Sequence, residues 1–165
     1  MECRESLKRF PAFLRIFPPS TACRRGFMVR GMQTSDLTLL GHSENRLPKS
    51  PDEAKLETFP NCRPGRKFWI TLDCPEFSSL CPVTGQPDTA HIVIRYVPGE
   101  RCVETKSLKF YMASYRNLPA FNEEIVNRVL DDLVAAMDPV EITVSGKFGA
   151  RGGIQLTCEA QQPEA

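Results

Sequence analysis

Between Lys67 and Ala160 the hydrophobic period of the chain changes twice, from that of strands to that of helices and back. "KFWITLD", from Lys67, and "HIVIRYV", from His91, are rich in aromatic and β-branched residues and read as strands. In "ETKSLKFYMASYR", Leu108, Tyr111, Met112 and Tyr115 recur at i, i+3, i+4 and i+7, the one-faced spacing of a helix. A second helix is predicted to start at Asn122 as N-cap, with Glu123 and Glu124 suited to its positive end. Its apolar stripe runs through Ile125, Val126, Val129, Leu130, Leu133 and Met137 until Asp138-Pro139 stops it. Strand character returns in "VEITVSGKF" and "IQLTCEA", with a tight turn at Arg151-Gly152-Gly153. The order ββααββ implies an α+β fold, a four-stranded antiparallel sheet backed by two helices. Such a sheet has two open edges, and closing them with neighbouring subunits predicts a ring-forming homo-oligomer.

The remainder of the chain bounds what that sheet can belong to. At 165 residues the expectation is one domain. Residues 1–31 carry seven Lys or Arg against two Glu and are broken by prolines, so they read as a basic, disordered N-terminal extension. Residues 32–66 read as an extended arm with turns, and residues 67–165 as the folded domain. Beyond residue 31 there are 14 basic against 18 acidic residues, which argues against a nucleic-acid partner bound through phosphates. Seven cysteines, an odd number with no regular spacing, argue against a disulfide framework and for a reducing, cytoplasmic setting. There is no C-x-x-C pair, and His42 and His91 are far apart, so no metal site is expected. No apolar run is long enough to span a membrane.

The stretch "CPEFSSLCPVTGQPDTAH", residues 74–91, reads as a turn-rich loop between the first two strands. Rigid turn residues aim side chains, so Cys81 is a candidate nucleophile and Asp88, seven residues on, a candidate proton donor or acceptor. Taken in isolation, an inert buried thiol is the favoured reading of Cys81 and a turn former that of Asp88, and only the turn-rich context weighs against the first. Lys106 and Lys109, i and i+3 on one helical face after Glu104, could hold a phosphate or form a solvated face. Glu123 could grip a heterocycle through paired N–H donors or complement the helix dipole, and Asn122 could be no more than a cap.

"CPEFSSLCPVTGQPD", "VETKSLKFY", "SYRN", "FNEE" and "GKFGARGGI" occur in an order that resembles the 7-cyano-7-deazaguanine reductases, the NADPH-dependent nitrile reductases of queuosine biosynthesis. The similarity covers roughly residues 57–156. It implies the tunnelling fold, assembled as rings with active sites between subunits, and residues 67–165 as the catalytic domain. It further implies that Cys81 attacks the nitrile of 7-cyano-7-deazaguanine to form a thioimide, with Asp88 as the proton donor. Val103, Glu104 and Thr105 would line the substrate pocket, Glu123 would hold the base, and Lys106 and Lys109 would meet the phosphates of NADPH. Asn122 stands where the family commonly has histidine, so a titrating partner is missing there. Two rival readings remain on the same scaffold: an amidinotransferase-like relative acting on a nitrile in tRNA, which the "ETKSLK" segment disfavours, and a non-catalytic purine-binding protein.

Overall fold

The computed structural model describes residues 37–39 and 46–163; the expected extension over residues 1–31, and His42, lie outside these. Eight elements follow in chain order: β1 (Thr58–Pro60), β2 (Ile70–Leu80), β3 (Pro87–Val97), β4 (Arg101–Val103), α1 (Thr105–Ser114), α2 (Asn122–Met137), β5 (Glu141–Phe148) and β6 (Thr157–Gln162). β2, β3, β5 and β6 form one antiparallel sheet in that spatial order. Both helices therefore lie in the connection that carries the chain from β3 to its neighbour β5.

Alternation decides which face the helices cover. In β3 Ala90, Ile92, Ile94 and Tyr96 are buried while Thr89, His91 and Arg95 are exposed. Ile142, Val144 and Phe148 of β5 point the same way, and all six stripe residues of α2 meet them in a single core. Gly146 makes the approach of α2 possible: a Cβ there would stand 2.8 Å from Val126 Cγ2 and 3.0 Å from the side chains of Ile92 and Phe148. Tyr111 ties the helices together, its hydroxyl donating to Asp132 Oδ2 at 2.6 Å and meeting the Tyr115 hydroxyl at 2.7 Å. No helix among the described residues is long and apolar enough to cross a membrane.

Three local expectations are corrected. Residues 74–91 are not one loop: β2 runs on to Leu80 and β3 begins at Pro87, leaving only Cys81–Gln86 as the turn. A bulge between Cys74 and Phe77 absorbs Pro75, which has no N–H to give, and β2 is an edge strand where such irregularity is tolerated. The N-cap of α2 is Phe121, with extended backbone; Asn122 is the first helical residue and makes no capping bond. The arm adds to the core as well as giving reach, because β1 pairs with β4, and Ala54 and Leu56 pack against the hydrophobic core.

Candidate active site

Cys81 follows the last residue of β2 and opens a turn closed from both sides. Its N–H donates to the Gln86 carbonyl at 2.8 Å, and the Gly85 N–H donates to the Cys81 carbonyl at 2.9 Å. Gly85 sits at φ +67, where a side chain would be strained. The turn folds its own donors back onto the sulfur. Hydrogen bonds from the Thr84 hydroxyl and from the backbone N–H groups of Thr84 and Val83, helped by Arg151 and opposed by burial, bring the thiol down to about 7. Burial pushes the thiols of Cys74, Cys102 and Cys158 the other way, with Asp73, Cys62 and Glu123 adding to it in turn. Of these four, Cys81 alone is made easier to ionise, and the thiolate is the nucleophile.

Asp88 is the second residue of β3, paired with Ser79 of β2, so the hairpin sets it beside the turn that holds Cys81. It is 7% exposed. Oδ1 lies 3.2 Å from Arg151 Nη1, and Oδ2 is buried without a hydrogen-bond partner. A buried carboxylate oxygen with nothing to accept from is costly unless a ligand or a proton completes it.

Backbone bonds between elements bring the other walls together. Leu80 N–H donates to the Leu118 carbonyl at 3.0 Å and Ala120 N–H to the Leu80 carbonyl at 3.1 Å, which pins the start of α2 against the end of β2. Gly149 N–H donates to the Thr89 carbonyl at 2.8 Å and fixes the end of β5 beside Asp88. The result is a cleft of about 340 Å3 that includes Cys81, Asp88, Asn122, Glu123 and Arg151. Asn122 is buried and its Oδ1 is a second acceptor without a partner, while Glu123 is exposed at the mouth. Phe121 and Ile154 line the same cleft at 59% and 76% exposure, an apolar rim open to water.

The remaining sequence-derived site residues lie elsewhere. Val103 is in the core and its N–H donates to the Tyr96 hydroxyl at 3.3 Å. Glu104 is the N-cap of α1, accepting from the N–H groups of Lys106 and Ser107 at 2.8 and 2.7 Å. Thr105 and Lys109 line a separate groove of about 590 Å3 between α1 and the bulge of β2, together with Arg116 and the apolar Leu108, Met112 and Ala113. Lys106 is turned toward the Leu39 carbonyl, so the two lysines do not share one surface as their spacing implied. Within one chain, then, Cys81, Asp88, Asn122 and Glu123 come together, and the "ETKSLK" residues do not join them.

Comparison with known proteins fixes what this arrangement belongs to. The family model described as QueF-like protein matches residues 87–165. A protein of Anaeromyxobacter sp. (strain K) named NADPH-dependent 7-cyano-7-deazaguanine reductase is 53% identical over 118 residues, which is 72% of this chain and 96% of that protein. The chain belongs to the 7-cyano-7-deazaguanine reductase family. Reductases of the same name from Thiobacillus denitrificans (54% identical, 66% of this chain and 77% of that protein) and Staphylococcus haemolyticus (46% identical, 78% and 80%) match it too. Among solved structures, the apo form of the archaeosine synthase QueF-Like superposes with TM-score 0.55 at 22% identity, covering 59% of this chain and 95% of that one. That likeness concerns the fold: an α+β architecture with antiparallel sheets and two helices.

Two side chains at this cleft carry no local signal strong enough to find them in advance. Thr84 is an ordinary turn residue until the chain folds back on the sulfur. Arg151 is 63 positions from Asp88 in the chain, and its "RGG" context reads as a turn and nothing more.

Proposed function

We propose that this protein reduces the nitrile of 7-cyano-7-deazaguanine to the primary amine, 7-aminomethyl-7-deazaguanine, by way of a thioimide on Cys81. The observation that carries the reading is the pairing, in one cleft, of a thiol whose ionisation its turn favours with a buried carboxylate that has one oxygen unpartnered. A nitrile carbon is a modest electrophile. Adding a thiolate to it while a proton reaches the nitrogen avoids a free nitrogen anion and divides one hard step into easier ones. Cys81 supplies the sulfur and Asp88, through Oδ2, the proton. Glu123 at the mouth accepts the paired N–H donors of the deazaguanine edge, and Asn122 Oδ1 accepts another.

NADPH supplies the two hydrides that take the thioimide to the amine when it is bound. The groove along α1 suits such a cofactor, being long, apolar along Leu108 and Met112, and bordered by the cations Lys109 and Arg116. Lys106, turned toward the Leu39 carbonyl, is not part of that groove, and Val103, Glu104 and Thr105 form the substrate-side wall. Because this wall and the Cys81 cleft are apart in one chain, the complete site lies between subunits, each giving one half. The exposed Phe121 and Ile154 at the cleft support that reading, as does the pair of open edges on β2 and β6. Residues 67–165 form the catalytic domain, and the partner molecules are the small-molecule substrate and further copies of the chain, acting in the cytoplasm.

The test is an absorbance assay of NADPH oxidation with 7-cyano-7-deazaguanine, with intact-protein and product mass spectrometry, on the wild type and Cys81→Ala. Two NADPH consumed per amine, and neither turnover nor adduct in the variant, is the expected result. An adduct without NADPH oxidation would turn the reading toward the amidinotransferase-like relative, and no adduct at all toward a binding protein.

A further inference from the structure

Three carboxylates are buried among the described residues: Asp88, Glu104 and Glu57. Asp88 lines the Cys81 cleft and Glu104 caps α1, which leaves Glu57, just before β1, without a part in the chemistry. A carboxylate is costly to bury unless hydrogen bonds to its charged form replace the lost water. Glu57 draws them from one short segment. Oε1 accepts from the Thr38 N–H at 3.0 Å and from the Thr38 hydroxyl, and Oε2 accepts from the Leu39 N–H at 3.5 Å. The exposed Lys55 adds its charge 3.7 Å from Oε1, and Leu37, next in the chain to Thr38, is buried.

The backbone of the same residue holds the entry of α1. Its N–H donates to Ser107 Oγ at 2.9 Å, and its carbonyl accepts from the Glu104 N–H at 2.8 Å. The Ser107 hydroxyl in turn donates to the Glu104 carbonyl at 2.8 Å. Lys106 Nζ completes the circuit by donating to the Leu39 carbonyl. Residues 37–39, Glu57 and residues 104–107 are thus joined by a closed circuit of hydrogen bonds that passes through one buried carboxylate. Thr105, within that circuit, lines the groove along α1 together with Lys109, whereas Glu57 lines neither the groove nor the Cys81 cleft.

We propose that Glu57 is a positioning residue for ligand binding at the start of α1: it clamps residues 37–39 to Glu104–Ser107, so that the wall of Val103, Glu104 and Thr105 is built before a ligand arrives. This rests on the reading of that wall and of the groove given above. A wall already fixed by its own bonds loses less freedom when a ligand binds, and affinity rises accordingly. Glu57 stands behind the wall, so removing its charge weakens binding and spares the chemical step. An amide cannot replace it, because glutamine offers one acceptor oxygen and turns an N–H donor against the donors of Thr38 or Leu39.

The experiment compares the full-length wild type with Glu57→Gln and with Thr38→Val, which removes one donor and leaves the carboxylate in place. Hydrogen exchange, read by mass spectrometry on peptides of the ligand-free protein, should speed up roughly tenfold over residues 37–39 and 104–108 in Glu57→Gln, and stay unchanged over the turn Cys81–Gln86. The KM for NADPH and for 7-cyano-7-deazaguanine should rise about five- to twentyfold, with kcat within about twofold of the wild type. Thr38→Val should shift exchange and KM in the same direction by less, and it carries the test if Glu57→Gln does not fold. Wild-type exchange over residues 104–108 in the variants, equal acceleration at the Cys81 turn, or a fall in kcat at unchanged KM would overturn the proposal. Exchange needs neither nitrile nor cofactor. A wild type that oxidises no NADPH therefore sinks the reductase reading, and the clamp is then decided by the exchange pattern.

Discussion

The Cys81 turn shows how much of a residue's chemistry is set by its immediate backbone. The Thr84 hydroxyl is the largest influence bringing the thiol down to about 7, followed by two N–H groups that only a tight turn can aim at one sulfur. A thiol in that range is close to half ionised at neutral pH, where an unperturbed one is a few per cent. The thiol is depressed, so reactivity rises as pH climbs through about 7 and is lost below it. Thr84→Ala removes the hydroxyl and leaves the backbone donors. It should move the midpoint of nitrile-adduct formation upward and slow the reaction at neutral pH by roughly three- to tenfold, with little change well above pH ~9. Measuring adduct formation against pH checks both the sign and the residue. The sequence could nominate Cys81 because it lies among turn residues, but could not separate it from a buried, inert thiol. What separates them is the direction of three hydrogen bonds.

At the scale of elements, α2 and β5 form the contact on which the site's position depends, since α2 carries Asn122 and Glu123 and β5 leads to Arg151. The helix stripe was legible because a 3.6-residue period leaves few alternatives, and every residue of it is buried as the spacing implied. Its closeness to the sheet was not legible, because it depends on Gly146 facing Val126 across the layer. Gly146→Ala should destabilise the fold by about 1–3 kcal/mol, since the added methyl meets three packed side chains in an interior with little room to yield. The denaturation midpoint read by circular dichroism checks this, and a change within about 0.5 kcal/mol would mean that α2 shifts freely. β2 was underestimated for a related reason. Pro75 reads locally as a strand breaker, and only an edge position with a bulge makes it compatible with eleven residues of strand. The start of α1 depends on the arm as well: Glu57, 4% exposed, accepts from the Thr38 N–H at 3.0 Å, and its own N–H donates to Ser107 Oγ at 2.9 Å. Nothing in the polar run around Glu57 marks it as buried.

For the whole molecule, β2 and β6 are the outer strands of the sheet among the described residues, and Phe121 and Ile154 stand exposed beside Cys81. Sedimentation analysis of the full-length chain should therefore give one closed species several times the monomer mass. Ile154→Asp, at 76% exposure in one chain, should shift it toward smaller species with a parallel loss of NADPH oxidation. A monomer with full activity would sink the view that each site is built from two subunits. The sequence by itself determined the class of fold, the helix stripe, the turn at Arg151 and the candidate pair Cys81 and Asp88, because these follow from periods and turn residues that act over a few positions. Only the tertiary structure decided that Asp88 is buried with an oxygen unpartnered, that Arg151 reaches it across the hairpin ends, and that Lys106 turns away from Lys109. Those facts depend on which strands neighbour one another, and side chains 63 positions apart meet only when the sheet brings their strands together.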